Sequence, residues 1–143
     1  MNNKEDSFSN LLLRESFFLL VKPEDNIYSN IFIRNSFFEE LGSLVKLGLK
    51  NIEIRWSNNE KWLNFVSEIK LNFPQINLGS ASIVNKQSIE DSLKIGINFS
   101  MMKFWDKDLF NYSKSKNYLL IPGIKNLKDL EEAINLNLSL IHI

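Results

Sequence analysis

Short apolar runs alternate along the chain with segments whose apolar residues recur at helical spacing. The runs are nearly continuous in apolar residues rather than strictly alternating, which is typical of parallel strands covered on both faces. We predict strands over residues 16–22, 51–56, 77–83, 97–102, 118–124 and 138–143.

The segments between these runs predict five amphipathic helices. Their apolar stripes are Phe37, Phe38, Leu41, Leu44 and Val45; Trp62, Phe65, Val66 and Ile69; Ile89 and Leu93; Leu109 and Phe110; and Leu127, Leu130, Ala133 and Ile134. Asn59 and Asn126 precede two of these helices, and we predict them as N-caps. Gly48 and Gly96 follow two others, and we predict that these glycines end the helices.

The passages from helix to strand resemble one another: "KLGLKNIEI", "KIGINFSM" and "NLNLSLIHI". A strand–helix unit that recurs every 20–30 residues, by rough count, indicates consecutive βα repeats and a parallel sheet. A complete (β/α)8 barrel takes about 250 residues, so only about six of its eight units fit here. The pattern therefore favours either an incomplete barrel or an open doubly wound α/β sheet.

Composition narrows the function classes. The 143 residues include 17 basic and 17 acidic side chains and no cysteine. The net charge is zero, so no overall positive charge attracts nucleic acid. Without cysteine, the chain can form neither a disulfide nor a thiolate metal site. The N-terminal segment lacks a signal peptide's continuous apolar core, and no apolar run approaches membrane-spanning length. We expect a cytoplasmic protein that binds no nucleic acid, membrane or metal.

In parallel α/β folds, ligands bind at the carboxyl ends of the strands. That rule selects Glu53, Arg55, Trp56, Ser57, Ser80, Ser82, Met102, Lys103, Pro122, Gly123 and His142. Glu53 lies between two isoleucines in a strand-like run. Pattern alone leaves open whether its carboxylate faces solvent beside Arg55 or lies desolvated in a site where it can transfer protons.

The other candidates have ordinary structural interpretations as well. Arg55 is more often a surface or ion-pair arginine, and a single strand histidine such as His142 is more often packed than catalytic. The stretch "GSAS" (79–82) places small residues and hydroxyls where a backbone could approach a ligand, but it has one glycine and is weak as a phosphate loop.

Taken in order, "LVKLGLKNIEI", "FPQINLGSASIVN", "GINFSM" and "LLIPGI" resemble the KDPG/KHG aldolase family. These class I aldolases cleave 2-keto-3-deoxy-6-phosphogluconate or 4-hydroxy-2-oxoglutarate to pyruvate and an aldehyde. The resemblance spans residues 16–143. It implies a (β/α)8 TIM-barrel fold, here incomplete, with residues 1–143 as one partial barrel domain. It also implies a keto-acid substrate, no cofactor and a homotrimer.

Four positions match the family pattern. The general acid/base glutamate of the family falls on Glu53. The threonine of its third strand, which helps to hold pyruvate, falls on Ser82, and this change keeps the hydroxyl. The proline and glycine of its fifth strand fall on Pro122 and Gly123. The resemblance thus implies substrate contacts for the last three.

Other positions depart from the pattern. The arginine that binds the substrate carboxylate falls on Ser57, so that Arg55 would have to substitute from another direction. The Schiff-base lysine falls on His142, and an imidazole cannot form an imine. Lys103, after the fourth strand, could be a displaced nucleophile in its place. We therefore expect impaired cleavage, with Glu53 and His142 at the catalytic positions.

Two other interpretations stay open. The chain could be a non-catalytic remnant that binds a keto acid or partner chains, since an unclosed barrel exposes strand edges that promote self-association. It could also be an open-sheet binder of small molecules unrelated to aldolases, if the ordered motifs arose by coincidence.

Overall fold

A computed structural model describes residues 3–14, 18–136 and 138. Its strands are β1 (Leu19–Val21), β2 (Asn51–Arg55), β3 (Asn77–Ile83), β4 (Phe99–Met102) and β5 (Leu119–Ile121). Its α-helices are α1 (Asn3–Arg14), α2 (Ile31–Lys46), α3 (Trp62–Asn72), α4 (Lys86–Ile95), α5 (Lys107–Ser115) and α6 (Leu127–Asn135). A short 3₁₀ helix, Asp25–Tyr28, follows β1.

The five strands form one sheet in the order β1-β2-β3-β4-β5, and every neighbouring pair is parallel. Strand order equal to chain order, with a helix after each strand, is the arrangement of a (β/α) barrel. The described residues therefore confirm an incomplete barrel rather than a doubly wound sheet, whose strand order reverses.

The predicted elements agree with the structure except at some ends. The five predicted helices are α2 to α6, whereas α1 was not predicted. The predicted first strand is shortened to Leu19–Val21, and the fifth ends before Pro122, which has no N–H to donate to a ladder. The predicted sixth strand, 138–143, lies outside the described residues apart from Leu138, which belongs to no element.

The predicted helix ends are mostly confirmed. Asn126 caps α6, since its side chain accepts a hydrogen bond from Asp129 N at 2.9 Å. Gly96 ends α4 in the left-handed conformation at φ 72°. The prediction for Asn59 was wrong: Lys61 occupies the N-cap of α3, and Asn59 Oδ1 accepts from Lys61 N instead.

The two faces of the sheet are covered differently. On the helix face, Ile52 and Ile54 of β2 are fully buried in a large apolar core formed with α2, α3, α4 and α5. On the opposite face, which we call the concave face, Phe8 of α1 packs on Phe99 and Ile121. The strand alternation sends Glu53 to the concave face, in register with Gly79 and Leu20.

Candidate functional site

A cleft of about 740 Å³ opens at the carboxyl ends of the first four strands. Its walls come from the segments that follow β1, β2, β3 and β4. The lining residues are Lys22, Pro23, Glu24, Asp25, Arg55, Trp56, Ser57, Asn58, Ser82, Val84 and Lys103. The structure thus brings several of the positions selected from the sequence into one cleft: Arg55, Trp56, Ser57, Ser82 and Lys103.

Glu53 lies one row deeper than the cleft lining. Its side chain shares the concave face with that of Arg55, two residues further along β2, a separation of about 7 Å along the strand. Glu53 is only 9% exposed. Burial raises the pKa of its carboxyl from 4.5 to about 7, because an ionised group loses solvation in the interior. No described residue makes a hydrogen bond or ion pair with this carboxylate to lower the pKa again.

The loop after β2 is fixed by hydrogen bonds to the backbone. Trp56 N donates to Ala81 O of β3 at 2.8 Å, and the Trp62 indole donates to Arg55 O at 2.9 Å. Ser57 Oγ accepts from Asn59 N at 3.2 Å. These contacts hold Ser57 at the cleft wall and leave the Arg55 side chain exposed.

Ser82 reaches the cleft through an irregular end of β3. The register between β3 and β4 shifts between Ser80 and Ile83, and Ser82 has φ 61°. A left-handed conformation is uncommon for a residue with a Cβ and costs free energy, which surrounding structure must offset. The distortion places a half-buried hydroxyl at the cleft rim.

Pro122 and Gly123 are buried and do not line the cleft. A Cβ at Gly123 would lie 2.4 Å from the carbonyl oxygen of Met102. Gly123 therefore permits the close approach of the chain after β5 to the end of β4, and this structural demand accounts for it. The other predicted catalytic residue, His142, lies outside the described residues.

The cleft lining carries three cations, Lys22, Arg55 and Lys103, against two acids, Glu24 and Asp25. The sequence reasoning missed Lys22 and the two acids because the carboxyl-end rule was applied only from the second strand onward. The same rule applied to β1 would have selected them. The lining is therefore suited to an anionic ligand with further polar groups.

Within the described part of the chain, no helix is long and apolar enough to cross a membrane. Likewise, residues 3–14, 18–136 and 138 contain no group of three or more His, Asp or Glu placed to hold a metal ion.

Solved structures that resemble this fold include aldolases. The KDPG aldolase of Legionella pneumophila, with pyruvate captured as a covalent carbinolamine, matches with a TM-score of 0.66 and 13% identity over 83% of this chain and 53% of its own. The 2-keto-3-deoxy-6-phosphogluconate aldolase of Zymomonas mobilis matches with a TM-score of 0.65 and 20% identity over 85% of this chain and 54% of its own. No curated protein matches the chain in sequence.

The fold and the position of the cleft define an aldolase-type (β/α) barrel protein with its candidate site at the carboxyl ends of the strands. The model of the KDPG and KHG aldolase family matches residues 33–143, well over half of the chain. The chain belongs to this family. It spans about half the length of the solved aldolases that it resembles.

Proposed function

We propose that this protein binds a small 2-keto acid such as pyruvate in the cleft and transfers protons to and from it through Glu53, with aldol cleavage impaired. A complete relative would cleave 2-keto-3-deoxy-6-phosphogluconate or 4-hydroxy-2-oxoglutarate. The observation that carries the proposal is the buried carboxylate of Glu53, beside the cleft on the concave face.

Glu53 has the properties of a general acid and base. Its pKa of about 7 means that the protonated and ionised forms are both populated near neutral pH, which is the condition for efficient proton transfer in either direction. As a base, the carboxylate would accept a proton from the methyl carbon of pyruvate, and the electron pair would remain in the resulting enolate. Returning the proton restores the keto acid.

The cleft lining supports the choice of an anionic ligand. Arg55 and Lys103 can attract a carboxylate, and a guanidinium can bind it with two hydrogen bonds. The hydroxyls of Ser57 and Ser82 lie in the same lining. Arg55 would take the role of the family arginine that is missing at position 57, reaching the carboxylate from the β2 strand itself.

The expected impairment rests on His142. The family route needs a lysine amine that attacks the keto carbon and loses water to give an imine, and a histidine cannot follow it. Without the imine, the keto carbonyl alone must accept the electron pair, both in carbon–carbon cleavage and in deprotonation of the methyl carbon, so both steps are slowed. Methyl proton exchange is the step in which Glu53 acts directly on the keto acid, and it is therefore the step to measure.

The test is exchange of the pyruvate methyl protons in D₂O, followed by proton NMR. We expect the methyl signal to decay faster with the protein than without it, and the Glu53→Gln variant to lose this acceleration by about a hundredfold or more, as for removal of a general base. Glu39→Gln, a change at an exposed glutamate of α2, is the control and should exchange like the parent. Equal rates for parent and Glu53→Gln would reject the role of Glu53.

A parallel test addresses the imine. Borohydride reduction in the presence of pyruvate, followed by intact mass, should give no adduct if His142 has removed the imine route. A trapped adduct would restore class I chemistry, and Lys103→Arg would then show whether Lys103 carries it.

The second candidate is a keto-acid binder without catalysis. Ser57 and His142 in place of the family arginine and lysine favour it. It predicts saturable pyruvate binding, without faster methyl exchange and with no effect of Glu53→Gln on exchange.

A further inference from the structure

Asp91 is a buried carboxylate of α4 that the proposed proton transfer does not use. Its two oxygens have different partners. Oδ1 accepts a hydrogen bond from the Gln87 side-chain amide at 2.6 Å and lies 3.9 Å from Lys94 Nζ, both on α4 itself. Oδ2 accepts from the Trp56 indole nitrogen at 3.1 Å. One oxygen is therefore satisfied within the helix, and the other connects α4 to the end of β2.

Trp56 lies between two residues of the cleft lining, Arg55 and Ser57. Successive side chains of an extended chain point to opposite faces. Trp56 continues the helix-face column of Ile54, and both side chains are buried in the same apolar core. Arg55 is exposed and Ser57 is half-buried, as expected on the opposite side. Holding the Trp56 indole on the helix face therefore sets the direction of both neighbours toward the cleft.

The end of β2 depends on such side-chain contacts because strand pairing stops there. Strand β1 is in register with β2 only as far as Ile54, and β3 only as far as Arg55. Beyond these pairs, Trp56 N donates to Ala81 O, and two indoles contribute: that of Trp62 donates to Arg55 O, and that of Trp56 donates to the α4 carboxylate. A hydrogen bond accepted by a carboxylate is roughly twice as strong as one between neutral groups.

We propose that Asp91 is a positioning residue that holds the Trp56 indole on the helix face and thereby keeps Arg55 and Ser57 directed at a keto acid in the cleft. This rests on the proposed keto-acid binding. Asp91 does not line the cleft, so it acts through Trp56. Without this hydrogen bond, fewer molecules hold the two lining residues in the binding arrangement, and the apparent affinity falls in proportion to that fraction.

Pyruvate binding tests this role in the full chain, and the line width of the pyruvate methyl signal in NMR titrations measures it. We expect Asp91→Ala to raise the dissociation constant about three- to tenfold, which corresponds to a binding-competent fraction of about a third to a tenth. Glu132→Ala is the matched control. It breaks another indole–carboxylate hydrogen bond, from Trp105 at 2.6 Å, and neither residue lines the cleft; it should bind like the parent. An unchanged dissociation constant for Asp91→Ala would overturn the proposal.

A double variant shows whether Asp91 acts through the indole. Trp56→Phe keeps an aromatic ring in the core and removes the donor. It should weaken binding by a similar factor, and adding Asp91→Ala should change the dissociation constant no further. An equal effect of Asp91→Ala in both backgrounds would show another route and overturn the proposal. Loss of stability alone lowers the amount of pyruvate bound at saturation and leaves the dissociation constant of the folded molecules unchanged.

A ligand-free measurement distinguishes failure here from failure of the proposed function. The Trp56 indole N–H gives one signal in a proton–nitrogen correlation spectrum, assigned by its loss in Trp56→Phe. We expect Asp91→Ala to speed exchange with D₂O about tenfold or more at this N–H and at the main-chain N–H of Trp56, and to leave the Trp105 indole unchanged. Unchanged exchange at Trp56 would overturn the proposal. If the parent binds no pyruvate, keto-acid binding and the ligand-directed role of Asp91 both fail, while faster exchange would still show that Asp91 fixes the end of β2.

Discussion

Strand β2 contributes different kinds of side chain to the two faces of the sheet. On β2, Ile52 and Ile54 point to the helix face and are completely buried among apolar side chains. Glu53, between them, points to the concave face and is also buried, yet its carboxylate has no partner among the described residues. One face therefore contributes stability. The other carries a polar group whose burial costs free energy, and this cost is the reason that Glu53 is proposed as a functional residue.

The concave face is itself divided. Over β4 and β5, Phe8 of α1 packs on Phe99 and Ile121, and this half is apolar. Over β2 and β3, Asn51 and Glu53 lie in register with Asn77 and Gly79. Apolar packing thus fixes one half of the face, while the other half stays polar beneath the cleft. Four substitutions test this division.

The largest effect is expected on the helix face. Ile54→Ala would leave a cavity in a tightly packed core, and we expect it to lower the free energy of unfolding by about 3 to 4 kcal/mol, measured by urea denaturation. Leu47→Ala is the control, because Leu47 is 86% exposed; it should change stability by less than about 0.5 kcal/mol. Similar losses for both variants would contradict the assigned core.

A substitution in or beside the apolar half of the concave face should lower the free energy of unfolding by nearly as much. A Cβ at Gly79 would lie 2.4 Å from the ring of Phe99, so Gly79→Ala must displace that ring from Phe8. We expect a loss of about 2 kcal/mol in the free energy of unfolding. Gly42→Ala is the control, since its Cβ would meet only the Phe73 ring at 3.7 Å and alanine favours the helix by up to about 1 kcal/mol. Equal effects would show that Phe8 of α1 does not pack on Phe99 of β4.

The polar half should make the free energy of unfolding depend on pH, because it contains Glu53. The folded pKa of Glu53, about 7, exceeds its ordinary value of 4.5, so the folded state retains a proton that the unfolded state releases. The free energy of unfolding should therefore fall as pH rises from 4.5 to 7 and level off above that, by at most roughly 3 kcal/mol in all, since one pKa unit is worth about 1.4 kcal/mol.

Glu53→Gln cannot ionise, so we expect this fall with pH to be absent from its urea midpoints and the variant to be the more stable protein at pH 8. Glu39→Gln should keep the dependence of the parent. A parent whose stability rises over this pH range would show that the Glu53 carboxylate has a favourable partner in the folded protein.

The helix face could be predicted from the sequence because its signal is local. Burial dictates the apolar stripes and runs. The five helices α2 to α6 could be predicted from them, and the ends of β2 and β3 could be predicted to within one residue. α1 was missed because its polar residues dominate, and its buried side chain, Phe8, is buried against Phe99 and Ile121, about a hundred residues away.

The site could be predicted only in part. The carboxyl-end rule found Arg55, Ser57 and Ser82, since each follows a recognisable strand. Whether Glu53 was buried or solvated depended on the register of β2 with its neighbours, which no local pattern contains.

The smallest effect is expected at Ser82, where β3 leaves the sheet at the cleft. Ser82→Gly removes a Cβ from a left-handed conformation, φ 61°. The relief of strain exceeds the extra entropy of glycine in the unfolded chain only slightly, so we expect a gain of less than about 1 kcal/mol in the free energy of unfolding. Pyruvate should bind a few times more weakly, because the hydroxyl is lost from the cleft lining.

Asn117→Gly separates strain from function. Asn117 also has a positive φ, 50°, but it lies between α5 and β5 and does not line the cleft. Asparagine tolerates this conformation better than serine, so its replacement should change stability less than Ser82→Gly does and leave pyruvate binding unchanged. If both glycine variants are equally stabilised and both bind pyruvate like the parent, the strain at Ser82 has no connection with the cleft. A stability gain coupled to weaker binding at Ser82 alone would mean that this strained conformation is retained for the ligand.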